Sequence, residues 1–343
     1  RTAERTGTRA VALARGDLSI DKVLTPQAIE NAMRVLLAIG GSTNGIVHLA
    51  AIAGRLGHQV DLQRLDEMGR ETPVLINLKP SGEHYMEDFH RAGGVPALLR
   101  ELAPLLHLDV MTISGRTLRE EMESFPQAYD RQIIRPFSDP VYRQGGIAVL
   151  GGNLAPGGAI IKQSAADPAL MEHEGRAVVF EGLEDLAARI DSPDLDVTPE
   201  DVLVLKNIGP KGAPGMPEAG YIPIPRKLAQ AGVKDIVRIS DGRMSGTAFG
   251  TIVLHVTPES AIGGPLGLVR DGDRIRLSVS GRSIEVLLSP QELEARRHAQ
   301  PVQERSAARG YRKLFLQSVT QADQGVDFDF LMPARDRKIP SRD

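Results

Sequence analysis

The stretch "DVLVLKNIGPKGAPGMPEAG", Asp201 to Gly220, sets a short apolar run directly against a loop dense in glycine and proline. An apolar run of this length, ended by turn residues, reads as a buried strand rather than a helix. Glycines in the loop let a backbone approach a ligand closely, and prolines hold its shape. Glu218 is the only acid between Asn207 and Gly220. A carboxylate on a stiff loop suits a hard cation such as Mg²⁺, which takes oxygen ligands. The equal alternative is a long connection carrying an exposed glutamate.

Similar runs lie on both sides of this stretch: "IAVLGG", "GAIIKQ" and "RAVVFE" before it, "DIVRIS", "TIVLHV", "DRIRLSVSG" and "SIEVLLS" after it. Glycine, proline or aspartate turns separate most of them. Among them only "GLEDLAARID", "IPRKLAQAG" and "SPQELEARRHAQ" read as helical. Many short strands with few helices predict a β-rich barrel or sandwich with flanking helices.

The earlier part is different. In "TPQAIENAMRVLLAIGG", Thr25 can cap a helix with Pro26 at its first position. Ile29, Ala32, Met33, Leu36 and Leu37 then form one apolar stripe, and Gly40 and Gly41 end it. A second helix opens at Ser42 or Thr43 and is apolar on most sides, which predicts a buried helix with His48 satisfied inside it. "TPVLINL" reads as a strand, and "MEDFHRAGGVPALLREL" as two helices about a glycine break. A proline-bearing segment without clear period, near 124–145, reads as a boundary. The expected organisation is a helix-weighted α/β domain over 1–135, a β-rich domain over 136–299, and a docking helix and tail over 300–343.

Composition removes several classes of function. Apolar residues are 41% and charged residues 25%, with a net charge of −3 and no basic block, so nucleic acid is a poor partner. No apolar run is long enough to span a membrane, and no secretory pattern is present, so the expected compartment is the cytoplasm. Cysteine is absent, which excludes disulfides, thiolate catalysis and cysteine-ligated clusters on these residues.

Two further stretches can carry chemistry. "GGSTNG", Gly40 to Gly45, opens a helix, where backbone N–H groups and the helix dipole favour an anion. Ser42, Thr43 and Asn44 are therefore candidate substrate-binding residues, against the plain reading of a helix-to-helix turn. "SDGRMSGTAFG", Ser240 to Gly250, holds Ser245 without the G-x-S-x-G spacing of a hydrolase nucleophile. A serine can still act as a base beside a cation that lowers its pKa. From spacing alone Ser245 is either that base or a turn residue, and Thr247 is a candidate substrate contact beside it.

Six blocks together resemble one family: "GGSTNGIVHLAAIAGRLG", "PSGEHYMEDFHRAGGVPALLREL", "GGNLAPGGAIIK", "GPKGAPGMPEAG", "SDGRMSGTAFGTIVLHVTPESAIGGPL" and "RGYRKLFLQSVTQADQGVDFDFL". They look like the dihydroxy-acid and sugar-acid dehydratases, in family order and over nearly the whole chain. The pentonate enzymes are the most similar branch; branched-chain dihydroxy-acid dehydratases usually carry an aromatic residue where Met244 stands. The resemblance implies an incomplete helix-rich α/β domain followed by a β-barrel-like swivelling (β/β/α) domain, with the active site at their junction. It implies loss of water from a 2,3-dihydroxy carboxylic acid to give the 2-keto-3-deoxy acid. It also implies Mg²⁺ on the carboxylate and C2 hydroxyl, and a [2Fe-2S] cluster acting on the C3 hydroxyl. Glu218 matches the family's metal-ligating glutamate and Ser245 the serine whose alkoxide removes the C2 proton. A sugar-acid substrate and a homodimer or homotetramer are the implied partners.

The family's cysteines and remaining metal ligands lie upstream of its "GGSTN" block, yet here only 39 residues precede that block, none of them cysteine. The expectation is a later part of a dehydratase, inactive by itself. The rival expectations are a branched-chain dihydroxy-acid dehydratase, and a cysteine-free family member that binds or assembles without catalysis.

Overall fold

The computed structural model describes residues 1–16, 18–125, 129–299 and 305–333. Part of the expected tail, at 300–304 and 334–343, and part of the expected boundary, at 126–128, lie outside the described residues.

The helix Pro26–Ala38 forms as its capping pattern requires: the Thr25 hydroxyl accepts the Ala28 N–H at 3.2 Å. Ile29, Met33 and Leu37 are buried, while Ala32 and Leu36 are half-buried at the edge of the stripe. Gly40, at φ +57°, turns the chain out of this helix. Its N–H and that of Gly41 bond back to Leu37 and Leu36, the paired bonds that close helix ends on a left-handed glycine. The next helix, Asn44–Arg55, buries Ile46, Val47, Ala50 and Ala53. Its other face is open, with His48 and Ile52 exposed, so the expected burial of the whole helix and of His48 is corrected. A helix apolar all round buries only the side that finds a partner.

Met86–Arg91 and Gly94–Leu102 are the two helices expected about a glycine break, with Gly93 at φ +124° between them. The run Thr72–Leu78 is extended but joins no sheet; Val74, Ile76 and Leu78 make single bridges to Tyr142, Ile134 and His84. Its partners are irregular chain, so the strand-like pattern gains burial without a ladder. Ile133 and Ile134 enter the same core as Leu75 and Leu98.

All eight β-like runs form strands: β1 Ala148–Leu150, β2 Gly158–Ile161, β3 Glu172–Phe180, β4 Val202–Leu205, β5 Val237–Ser240, β6 Ile252–Thr257, β7 Arg274–Ser278 and β8 Ser283–Val286. They make one sheet in the order β1-β2-β6-β5-β4-β3-β7-β8. β3 to β6 run parallel, and antiparallel strands extend the sheet at each side. The two edges then meet: Ile284 N–H bonds to Gly151 at 2.7 Å and Gly151 N–H to Arg282 at 2.9 Å. That contact nearly closes a barrel and covers two edges that would otherwise expose unpaired backbone.

The barrel interior is filled by alternate residues, including Val179, Val204, Ile239, Val253, Ile275 and Ile284. The opposite face of β3 and β4 packs Leu203 and Leu205 with Leu186 and Leu228, from the helices Leu183–Arg189 and Arg226–Gln230. β2 presents Ile160 to a third core with Ile29, Leu37 and Ile46 from the first helices. No described helix is long and apolar enough to cross a membrane.

Candidate active site

The loops that carry Glu218 and Ser245 follow the parallel strands β4 and β5, the end of an open or barrel-like α/β sheet where ligands usually lie. The Ser245 loop, residues 241–251, joins two parallel strands without a helix. It returns along the outer face of the sheet and lays Met244, 1% exposed, against Ile252 and Leu254.

Two buried acids fasten the loops. Asp241, 0% exposed, accepts the N–H groups of Ile208 at 2.9 Å, Ser260 at 2.8 Å and Asn207 at 3.3 Å. Glu259 accepts the N–H groups of Lys211 and Gly212 and the Gln321 side-chain amide at 2.8–2.9 Å. Burial pushes both carboxyls above their ordinary range, with the N–H donors opposing it. Gly220 N–H then bonds to Arg243 O at 2.8 Å, and Arg243 Nε to Met216 O at 2.6 Å, tying the two loops to each other. Neither acid was singled out from the sequence. The readable signal is an acid standing directly against an apolar strand, as in "VRISD" and "VTPE".

Gly209 and Gly212 of the loop face the protein itself, whereas Gly215, at φ +96°, has nothing within 4 Å of a Cβ position. A Cβ on Gly209 would meet the Glu259 side chain at 2.7 Å, and one on Gly212 the Asn207 carbonyl at 2.5 Å. At Gly209 and Gly212 the close approach is to the loop's own anchors.

The turn Gly40–Asn44 reaches both loops from the helical side. Asn44 Nδ2 donates to Glu218 Oε1 at 2.5 Å and to Met244 O at 3.1 Å. One amide therefore links the exposed Glu218 to the residue preceding Ser245. A Cβ on Gly246 would meet Ser42 Cβ at 2.9 Å, so turn and loop touch there as well. Ser42 itself accepts the Asn44 N–H at 3.2 Å. Ser245 Oγ lies 3.1 Å from Thr247 Oγ1, and both are accessible. The structure thus gathers Ser42, Thr43, Asn44, Glu218, Ser245 and Thr247, which are far apart in sequence.

Two buried polar atoms at this junction have no partner among the described residues: Thr43 Oγ1 and Asn44 Oδ1. Beneath the loop, His255 Nε2 is also unpaired, and burial together with the Arg243 charge pushes that imidazole down to about 3. The ring is neutral, and the residue's backbone N–H donates to Gly242 O at 3.0 Å.

Among the described residues no three of His, Asp or Glu converge as a metal site, and the chain holds no cysteine. Glu218 supplies one carboxylate, already engaged by Asn44, where Mg²⁺ calls for several oxygen ligands. These residues do not by themselves fit a magnesium site, and they cannot ligate an iron–sulfur cluster.

Residues 132–326 match the model of the dihydroxy-acid/6-phosphogluconate dehydratase C-terminal domain, and residues 1–121 match its N-terminal counterpart. The chain is 46% identical over 348 residues to the L-arabonate dehydratase of Azospirillum brasilense, covering 99% of this chain and 60% of that one. It is 46% identical over 334 residues to the 6-deoxy-6-sulfo-D-gluconate dehydratase of Pseudomonas putida, covering 96% and 58%. With a dihydroxy-acid dehydratase of Methanosarcina acetivorans it shares 40% identity over 329 residues, covering 95% and 59%. The chain spans about three-fifths of the length of these curated relatives.

Proposed function

Because the chain belongs to the dihydroxy-acid/6-phosphogluconate dehydratase family, we propose that the whole protein removes water from an aldonic acid to give the 2-keto-3-deoxy acid. The observation that carries this reading is the single junction at which Asn44 holds Glu218 beside the Ser245 loop. Ser245, having lost its own proton, takes the proton from C2 of the substrate. The C2–H electrons form the C2=C3 bond, the C3–O bond breaks, and the departing hydroxide leaves as water after gaining a proton. The enol then tautomerises to the ketone.

Thr247, within hydrogen-bond distance of Ser245 Oγ, steadies that oxygen. Thr43 Oγ1 and Asn44 Oδ1, buried and unpaired, are suited to substrate hydroxyls, because an unsatisfied buried acceptor is costly until something binds it. The resemblance adds Mg²⁺, with Glu218 as one ligand, and a [2Fe-2S] cluster. Both belong to the proposal for the whole protein, since the chain holds no cysteine and no three acid or histidine side chains converge among the described residues. The 343 residues alone are proposed to be inactive. A homodimer or homotetramer is the proposed assembly, and the cytoplasm the proposed compartment.

An aldonic acid is favoured over a branched-chain substrate by the identities above and by Met244, whose side chain is buried under the loop next to Ser245. The deciding experiment assays the protein as its gene encodes it on a panel of pentonates, hexonates and branched-chain 2,3-dihydroxy acids, reading 2-keto acid formation. Turnover of an aldonic acid is expected. Turnover of the branched-chain acids alone, or of nothing, overturns the reading.

A further inference from the structure

A cavity of about 530 Å³ lies along one face of the helix Asn44–Arg55. Val47, His48 and Ala51 line it from the helix, Met216 and Arg243 from the two site loops, and Val326 from the tail. Asn44, Val47, His48 and Ala51 are spaced i, i+3, i+4, i+7, so they share one face of the helix. The residue that holds Glu218 therefore begins the row that lines the cavity. The bond from Arg243 Nε to Met216 O, which ties the site loops together, joins two residues of its wall. The cavity thus adjoins the junction of Asn44, Glu218 and the Ser245 loop.

Two strained turns form its sides. Gly215 and Met216 stand at φ +96° and +47°, and Gly325 and Val326 at +97° and +53°. A methionine, and still more a β-branched valine, rarely adopts that region, and residues held there gather where ligands are gripped. The tail is pressed onto the helix at this point, since a Cβ on Gly325 would run into the Ala51 backbone. At the far end Arg55 and Asp327 satisfy each other, Nε to Oδ2 at 2.6 Å and Nη2 to Oδ1 at 2.9 Å. His48, by contrast, has no hydrogen-bond partner among the described residues. Mostly apolar walls with a few polar groups suit a short hydroxylated carbon chain.

We propose that this cavity receives the part of the aldonic acid beyond C3, and that the His48 ring hydrogen-bonds a hydroxyl there, an inference that rests on the dehydratase reading. In that reading the carboxylate and the first two hydroxyls sit at the reacting end, which leaves the carbons beyond C3 to be placed. His48 stands one helical turn from Asn44, about 6 Å along the axis, within the span of a pentonate tail. A branched-chain acid has no hydroxyl beyond C3 to offer, so His48 contributes to the choice between the two substrate classes.

The test uses the protein as its gene encodes it, the pentonate turned over in the panel, and the variants His48→Leu and His48→Gln. KM, kcat and thermal midpoint are measured for each. His48 is exposed, so both variants should keep the wild-type midpoint. His48→Leu is expected to raise KM about 5–10-fold with kcat little changed, the pattern of one hydrogen bond made equally in ground and transition states. His48→Gln should restore most of the affinity. An unchanged KM in His48→Leu overturns the inference alone, and so does a loss confined to kcat or one that His48→Gln repeats in full. A lowered midpoint with raised KM in both variants marks a structural role and overturns it as well. Absence of any aldonic-acid turnover by the wild type overturns the functional reading and this inference with it.

Discussion

The underside of the two site loops and the junction above them are built from similar polar groups and treat them in opposite ways. Below, Asp241, Glu259 and Lys206 are buried and each is met by several donors or acceptors. Above, Thr43 Oγ1 and Asn44 Oδ1 are buried and left without partners among the described residues. The lower set holds backbone in place, so its value is stability and loop position. In the proposed reading, the upper set costs stability in the free chain, and substrate binding offsets that cost. Two lysines repeat the contrast elsewhere: Lys162 and Lys206 each follow an apolar strand and are 2% exposed, yet Lys206 Nζ meets Glu181 Oε1 and Gly267 O while Lys162 meets no acceptor among the described residues.

The largest effect that can break this contrast is on chemistry. In the whole protein, Ser245→Ala should lower dehydration on the order of 10³-fold, the scale of a lost general base. Its melting temperature should stay within about 1–2 °C of wild type, because the Ser245 side chain is accessible and, among the described residues, its hydroxyl meets only that of Thr247. Wild-type-like turnover would return Ser245 to the status of a turn residue.

Asp241→Asn tests the underside. An amide there keeps one accepting oxygen and sets an NH2 donor either against the Ile208 N–H or against those of Asn207 and Ser260, leaving buried donors unmatched. A loss of about 3 kcal/mol in chemical denaturation is expected. A near-neutral variant would show that the loop holds itself.

Lys162→Met should act in the opposite direction on stability. The lysine's folded pKa, about 8, lies below its unfolded value of 10.5. The unfolded chain therefore binds the proton more tightly, and the penalty is fully present below about pH 8. It fades as pH rises toward 10.5. The variant should gain about 3 kcal/mol at pH 7, the free energy equivalent of that shift, with the gain shrinking above pH 8. A loss at pH 7 would place Lys162 with Lys206 as a paired structural group.

The smallest effect concerns His255. Its folded pKa, about 3, is below the unfolded 6.5, so its contribution is fully present above pH 6.5 and is lost as pH falls toward 3. His255→Gln removes that slope. The difference between the pH 7 and pH 5 stabilities should shrink by about 2 kcal/mol relative to wild type. An unchanged difference would mean that the ring protonates freely in the fold.

Much of the architecture was legible because strand formation here is local. Eight apolar runs between turn residues became eight strands, and the capping pattern at Thr25 placed its helix. The run Thr72–Leu78 shows the limit: alternation records burial, but a ladder also needs a partner, and that chain met irregular segments instead. His48 shows another, because an apolar helix is exposed wherever its neighbour stops.

The sequence by itself determined the strand set, the two loops with Glu218 and Ser245, and the family to which the blocks belong. Only the tertiary structure decided that the sheet nearly closes between Gly151 and Ile284, and that Asn44 joins Glu218 to the Ser245 loop. It alone decided what the loop's glycines approach and which of two equivalent lysines has a counter-charge. The physical reason is shared: these are contacts between residues distant in the chain. A residue's type shows that it needs a partner, and only the folded chain shows whether one arrives.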